Sequence, residues 1–165
     1  MPDARYCDAD FSDRPLRLAA QTAEDLAVIS TLTQDAVGRA GEVSWRPSRR
    51  RLAFLLNRFR WEDRPRAERE GRPYERVRAA LIFDGVLSVR ARGVDPADRE
   101  TPLSLLRIDH APDEEGPGGR ILLALSGGGE VAIEVECIEA CLMDLTRPWE
   151  APSGHAPDHP LDEAG

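Results

Sequence analysis

Residues 121–137 read ILLALSGGGEVAIEVEC, and their pattern decides the fold class of the chain. Apolar runs at 121–125 and 131–137 flank Gly127-Gly128-Gly129. In the second run Val131, Ile133 and Val135 alternate with Glu130, Glu134 and Glu136, the period of a strand with one buried and one wet face. Two such runs joined by glycines predict a β-hairpin. A phosphate-binding loop would need a helix N-terminus after the glycines and, in its commonest form, a lysine, and neither follows here. The alternation also assigns Glu134 and Glu136 to a solvated strand face. Together with Glu139 they are therefore not read as an acid/base pair or a metal cluster.

Downstream, Ile138, Cys141, Leu142 and Leu145 fall at i, i+3, i+4 and i+7, predicting a short amphipathic helix that closes the domain before Pro148. Upstream, residues 16–20 alternate as a first strand. Thr22 followed by Asp25 approximates a capping box and predicts a helix over residues 23–35, with Leu26 and Ile29 facing inward. Residues 42–46 and 50–61 read as strands joined at Pro47-Ser48, rich in β-formers at Val43, Trp45, Phe54 and Phe59. The second is not one-sided. Leu52, Phe54 and Leu56 share a face that Arg58 and Arg60 continue, while Leu55, Phe59 and Trp61 occupy the other; a bulge near Leu56 or Asn57 would reconcile them. Residues 62–73, with Pro65, Gly71 and Pro73 among mixed charges, read as a solvated loop. Strand character returns over 77–92, where Asp84-Gly85 is either a hairpin turn or a bulge, and again at 103–108, with a loop at 113–119.

The sum is an α+β domain, a mostly antiparallel β meander of six or seven strands with a helix in the N-terminal half and a closing C-terminal helix. That order resembles the pleckstrin-homology-like arrangement, a likeness of fold that carries no function. The expected organisation is a loose N-terminus over 1–14, one domain over 15–149, and a disordered acidic, proline-rich tail over 150–165.

Charge is spread unevenly. Residues 39–78 hold 13 arginines against 6 acids, about +7, inside a chain of net charge −8. All 22 basic residues are arginine. That excludes a P-loop lysine, a Schiff-base lysine and a lysine general base, and makes arginine the general surface cation as well. Three cysteines, no apolar stretch of membrane-spanning length and an acidic N-terminus without a secretory pattern lead us to expect a cytoplasmic protein with no disulfide framework.

Two constellations invite chemistry. Cys137, Cys141, His155 and His159 have zinc-like spacing. The cysteines fall among packing residues, however, and Pro157 and Pro160 oppose a helix carrying both histidines, so no metal and no cofactor is expected. His110 follows Asp109 with no serine or cysteine placed beside it by any motif, and no catalytic residue is assigned. The second is the arginine and aromatic block at 45–61, where Arg46, Arg49, Arg50, Arg51, Arg58, Arg60 and Trp61 are candidate contacts to an anion or nucleic acid: guanidiniums for phosphates, a ring for stacking. Pairing of these arginines to the chain's own acids is the competing account.

At Leu55-Leu56-Asn57-Arg58-Phe59-Arg60-Trp61-Glu62, and at Val135-Glu136-Cys137-Ile138-Glu139-Ala140 with Asp144-Leu145 and Pro148-Trp149, the chain resembles a family of small bacterial cytoplasmic proteins classed as a domain of unknown function. The likeness spans residues 16–149. It implies a one-domain protein, transfers no activity or catalytic residue, and leaves His155 and His159 outside. The functional expectation is a non-enzymatic module that binds another protein. An RNA- or DNA-binding protein using residues 45–61 is the first alternative, and a small-ligand-binding or catalytic domain without a recognisable motif is the second.

Overall fold

A computed structural model describes residues 15–95 and 97–151. The order of elements is β1 (Arg17–Ala20), α1 (Ala23–Leu32), β2 (Val37–Arg39), β3 (Val43–Arg46), β4 (Arg51–Phe59), α2 (Arg64–Glu70), β5 (Glu75–Phe83), β6 (Val86–Arg92), β7 (Pro102–Pro112), β8 (Gly119–Leu125), β9 (Glu130–Val135), β10 (Ala140–Asp144) and β11 (Trp149–Glu150). The strands form one hydrogen-bonded path, β1-β10-β5-β4-β2-β7-β8-β9-β6, with β11 beside β5 and β3 beside β4. Every pairing is antiparallel.

The path bends into two leaves, one of β1, β10, β5, β4 and β3, the other of β7, β8, β9 and β6. The three-residue β2 stitches them, pairing with β4 and β7. Leu52, Phe54, Leu56, Leu81, Phe83 and Leu142 from the first leaf and Leu105, Ile121, Leu123, Ile133 and Val135 from the second form one core, joined by Leu26 and Ile29 of α1. Phe54 and Phe83 meet edge to face in it at 6.3 Å.

The helix over residues 23–35 forms as α1, capped by the Thr22 hydroxyl accepting from the Asp25 N–H at 3.1 Å. The glycine hairpin also forms, β8 pairing with β9 across Gly127 and Gly128, both at positive φ.

Four expectations are corrected. First, the fold is mostly antiparallel sheet with few helices, but the described residues form 11 strands rather than six or seven. Among the extra ones are β2 and β11, too short to show a period, and β10, whose residues fall at helical spacing with their neighbours. Second, among the described residues no helix closes the domain. The segment that carries Cys141 and Leu142 is β10, laddered on both sides to β1 and β5, which satisfies the backbone groups that an isolated two-turn helix would leave open. Leu142 is buried but Leu145 is 49 % exposed. The pleckstrin-homology-like comparison loses the helix on which it rested.

Third, the expected loop over 62–73 contains a helix. Pro65 sits in the first turn of α2, where its missing N–H costs nothing, and Gly71 at φ 64° ends it. Arg64–Glu68 and Arg66–Glu70, each at 3.0 Å, add pairs along its side. Fourth, β4 has no bulge: its register with β5 runs unbroken from Leu52↔Phe83 to Phe59↔Arg76. Asp84-Gly85 is likewise no hairpin turn, because β5 and β6 do not pair. The chain passes there from one leaf to the other, with Gly85 at φ 67°.

The sheet continues one residue beyond the expected domain boundary, through Glu150, and Ala151 is buried after it. Residues 1–14, expected as a loose N-terminus, and 152–165 of the expected tail, with His155 and His159, lie outside the described residues. No helix among the described residues is long and apolar enough to cross a membrane.

Candidate functional site

Strand alternation gives the first leaf two faces, and both are apolar. Its inner face is the core. On its outer face, cross-strand neighbours line up as Ala19, Cys141, Ile82, Ala53 and Ser44 in one row, and Arg17, Met143, Ala80 and Leu55 in the next. Seven contiguous apolar side chains result, with no charge between them. Leu55, Ile82, Cys141 and Met143 are half-buried by their neighbours in the sheet and stand outside the core cluster. Neither helix lies on this face: α1 packs against β1 and β7, and α2 against the turn that precedes it.

The outer face of the second leaf is different. There Asp109, Leu122, Ala132 and Arg90 form one row and Arg107, Ala124, Glu130 and Arg92 the next. Ion pairs Arg107–Asp109 and Arg120–Glu134, each at 2.7 Å, cross this surface. It is the wet face expected of an antiparallel leaf.

Charges frame the apolar rows. Arg51 donates to Asp84 at 2.7 Å, and Arg78 reaches Glu42 at 3.0 Å and Asn57 at 3.4 Å. The hydrogen bond from Arg78, with the charges of Arg78 and Arg39, holds the Glu42 carboxyl below its ordinary value. At the far end, Phe59 on the same face is sealed by Trp61 at 4.7 Å, Tyr74 at 5.5 Å and the Arg76 guanidinium at 6.0 Å. Arg17 and Arg46, at opposite edges, make no ion pair among the described residues.

The candidate anion contacts divide into two groups about 27 Å apart along β4. Arg46, Arg49, Arg50 and Arg51 are exposed at the β3–β4 turn. There Arg50 pairs with Glu136 and Arg51 with Asp84, leaving Arg46 and Arg49 free of ion pairs among the described residues. Arg58, expected to face a phosphate, has no exposed surface and is bound between Asp144 and Glu62. Burial alone would lower its pKa. Hydrogen bonds and charge from Glu62 and Asp144 outweigh that and raise it, so the guanidinium stays protonated inside the sheet. Arg60 is 7 % exposed and bonds Glu75 at 3.2 Å. Trp61 donates through Nε1 to the Gln34 carbonyl at 3.0 Å, which ties its ring to the C-terminal side of α1. The seven residues do not form one cationic surface.

Arg60 instead lines a cleft of about 700 Å³ with Asp63, Arg66, Arg72, Glu75, Arg147 and Pro148. Arg72 grips both oxygens of Asp63 at 2.6 and 2.7 Å and also reaches Glu75 at 3.0 Å and Glu70 at 2.8 Å. Sequence reasoning missed this cleft because it read the segment holding Arg66 and Arg72 as loop. It also missed the outer apolar face, although the signal was present in β4, whose Leu55 and Phe59 interleave with Leu52, Phe54 and Leu56.

His110, left unassigned from sequence, lies on β7 with Nε2 buried beside Gly119 and without a hydrogen-bond partner among the described residues. Cys137 and Cys141 are free thiols, and among the described residues no three His, Cys, Asp or Glu side chains are grouped to hold a metal ion.

The molecule is thus a mostly antiparallel β protein with an apolar outer face and an arginine-lined cleft. Residues 16–159 match the family described as Protein of unknown function (DUF2948), and the chain belongs to that family. The match reaches ten residues past the expected limit and takes in His155 and His159. No curated protein and no solved structure matches the chain.

Proposed function

We propose that this protein is a non-enzymatic docking module that receives a protein partner on the outer face of its first leaf. The observation that carries the proposal is the pair of uncharged rows from Ala19 to Ala53 and from Met143 to Leu55, beside a second leaf whose outer rows are each interrupted by charged residues. A contiguous apolar surface of this kind loses free energy to water until something covers it. Arg17 and Arg46 at its edges favour a partner whose apolar patch is rimmed by carboxylates. A second copy of this chain would bring like charges together instead.

A photo-crosslinking side chain at Ile82 or Leu55, with Ala132 on the second leaf as control, tests this in native lysate. The expected result is one discrete heterologous adduct from the first leaf only. It should weaken with salt, fall with Arg17→Glu and Arg46→Glu, and map to an acid-rimmed apolar patch on the partner. Equal labelling from Ala132, an adduct of twice the chain's own mass, or no adduct from the first leaf would each overturn the proposal.

A further inference from the structure

The cleft between α2 and the turn before β11 has a donor inventory that its own acids do not exhaust. Asp63 has both oxygens occupied by Arg72, so the carboxylates inside the cleft are already engaged. Arg72 in turn spends Nε and both terminal nitrogens on Glu70, Asp63 and Glu75. Arg60 hydrogen-bonds through Nη1 to Glu75 and stands 3.7 Å from Glu62 and 3.8 Å from Asp63, and Arg66 hydrogen-bonds through Nε to Glu70. Arg147 makes no hydrogen bond or ion pair among the described residues. The Nη2 group of Arg60, both terminal nitrogens of Arg66 and the whole guanidinium of Arg147 therefore remain as donors around one space. Asp63 and Glu75 line the cleft, and Glu70, which takes Arg66 and Arg72, and Glu62, 3.7 Å from Arg60, flank it, so Arg147 is the one lining guanidinium with no carboxylate partner among the described residues.

We infer that this cleft binds a small polyhydroxylated phosphomonoester, its dianionic phosphate held by Arg60, Arg66 and Arg147. Guanidinium forks suit phosphate oxygens, and Arg147, without a carboxylate partner among the described residues, supplies a charge for the phosphate to meet. The acids act as a frame: Asp63 and Glu75 hold Arg72 and Arg60 in place, so the buried Arg60 fork is oriented before a ligand arrives. Two features set the remainder of the ligand. A volume of about 700 Å³ exceeds what a bare phosphate fills, and every lining residue but Pro148 carries a charge, so the body of the ligand meets hydrogen-bonding groups rather than an aliphatic or aromatic side chain. A sugar-like body that hydrogen-bonds to guanidinium and carboxylate groups fits that chemistry. This inference stands independently of the docking face, which lies on the outer side of the leaf.

Isothermal titration calorimetry at constant ionic strength, on the full chain with ribose 5-phosphate, inorganic phosphate and ribose, tests it. Ribose 5-phosphate should bind saturably, inorganic phosphate more weakly at the same site, and ribose not at all. Arg66→Gln and Arg147→Gln, both partly or fully exposed and remote from the core, should each weaken binding at least about tenfold without moving the melting temperature. Absence of saturable binding by either phosphate, or binding undiminished in the Arg66→Gln/Arg147→Gln double variant, would overturn the site. Equal affinity for inorganic phosphate and ribose 5-phosphate would overturn the ligand class.

Discussion

Arg58 and Asp144, 86 residues apart, form a two-pronged ion pair sealed inside the first leaf: Nε donates to Oδ1 and Nη2 to Oδ2, each at 3.0 Å. Arg58 donates to Glu62 as well, at 2.9 and 2.7 Å, so its charge is compensated from both sides. Asp144 also accepts from the Leu16 N–H at 3.2 Å, which ties the entry of β1 to β10. Losing one partner strands the other in a medium that solvates charge poorly. We therefore expect Asp144→Leu to cost about 3–5 kcal/mol, while the double replacement Arg58→Met/Asp144→Leu recovers most of it. Urea denaturation of Arg58→Met, Asp144→Leu and their double variant decides the matter, and additive losses in the double variant would show that the pair is not coupled.

The strand assignment of β10 separates two neighbouring leucines. Leu142 is fully buried between β1 and β5, and Leu142→Ala should cost about 2–5 kcal/mol. Leu145 projects outward, and Leu145→Ala should change stability by no more than about 0.5 kcal/mol. Comparable losses at both positions would restore the helical period and contradict the strand.

Gly38 marks the place where the leaves are stitched. A Cβ there would stand 2.6 Å from the Leu55 carbonyl oxygen and 3.0 Å from Leu56 Cδ2, and the nearer atom is backbone in the middle of β4. Gly38→Ala should therefore destabilise by roughly 1–3 kcal/mol, as overpacking does. A neutral or stabilising result in thermal melts would mean that β2 can shift without loss.

Acid should weaken the hold of Arg72 on Asp63. Burial alone would raise the Asp63 carboxyl, but the hydrogen bonds from Arg72 and the charges of Arg60 and Arg72 outweigh it and hold the group below its ordinary value. The unfolded chain then binds this proton more readily than the native one. The stabilisation is present above the ordinary aspartate value of about 4 and is lost as pH falls through the depressed native value. Melting temperature followed from pH 6 to pH 3 should drop more steeply for the wild type than for Asp63→Asn, the two curves converging in acid. Parallel curves would remove Asp63 from the account.

Much of the secondary structure is legible in local pattern. The capped helix at Ala23–Leu32, the glycine hairpin of β8 and β9, and the strands β3, β4 and β5 follow from side-chain period and turn chemistry, which act over a few residues. The antiparallel class of the sheet follows from those elements. The remaining features depend on partners remote in sequence. Arg58 reads as a surface cation until Asp144 is placed opposite it, and Asp144 in turn breaks the alternation that would mark β10 as a strand. Residues 64–70 hold as a helix through Pro65 at its start, Gly71 at its end and side-chain pairs of modest strength, a weak signal against the loop-like composition around them. The outer apolar face and the cleft emerge only when β1, β10, β5 and β4 lie side by side and the turn before β11 meets α2. Periodicity in one strand shows which residues share a face; the neighbouring strands, supplied by distant parts of the chain, decide whether that face becomes core, a solvated surface or a binding surface.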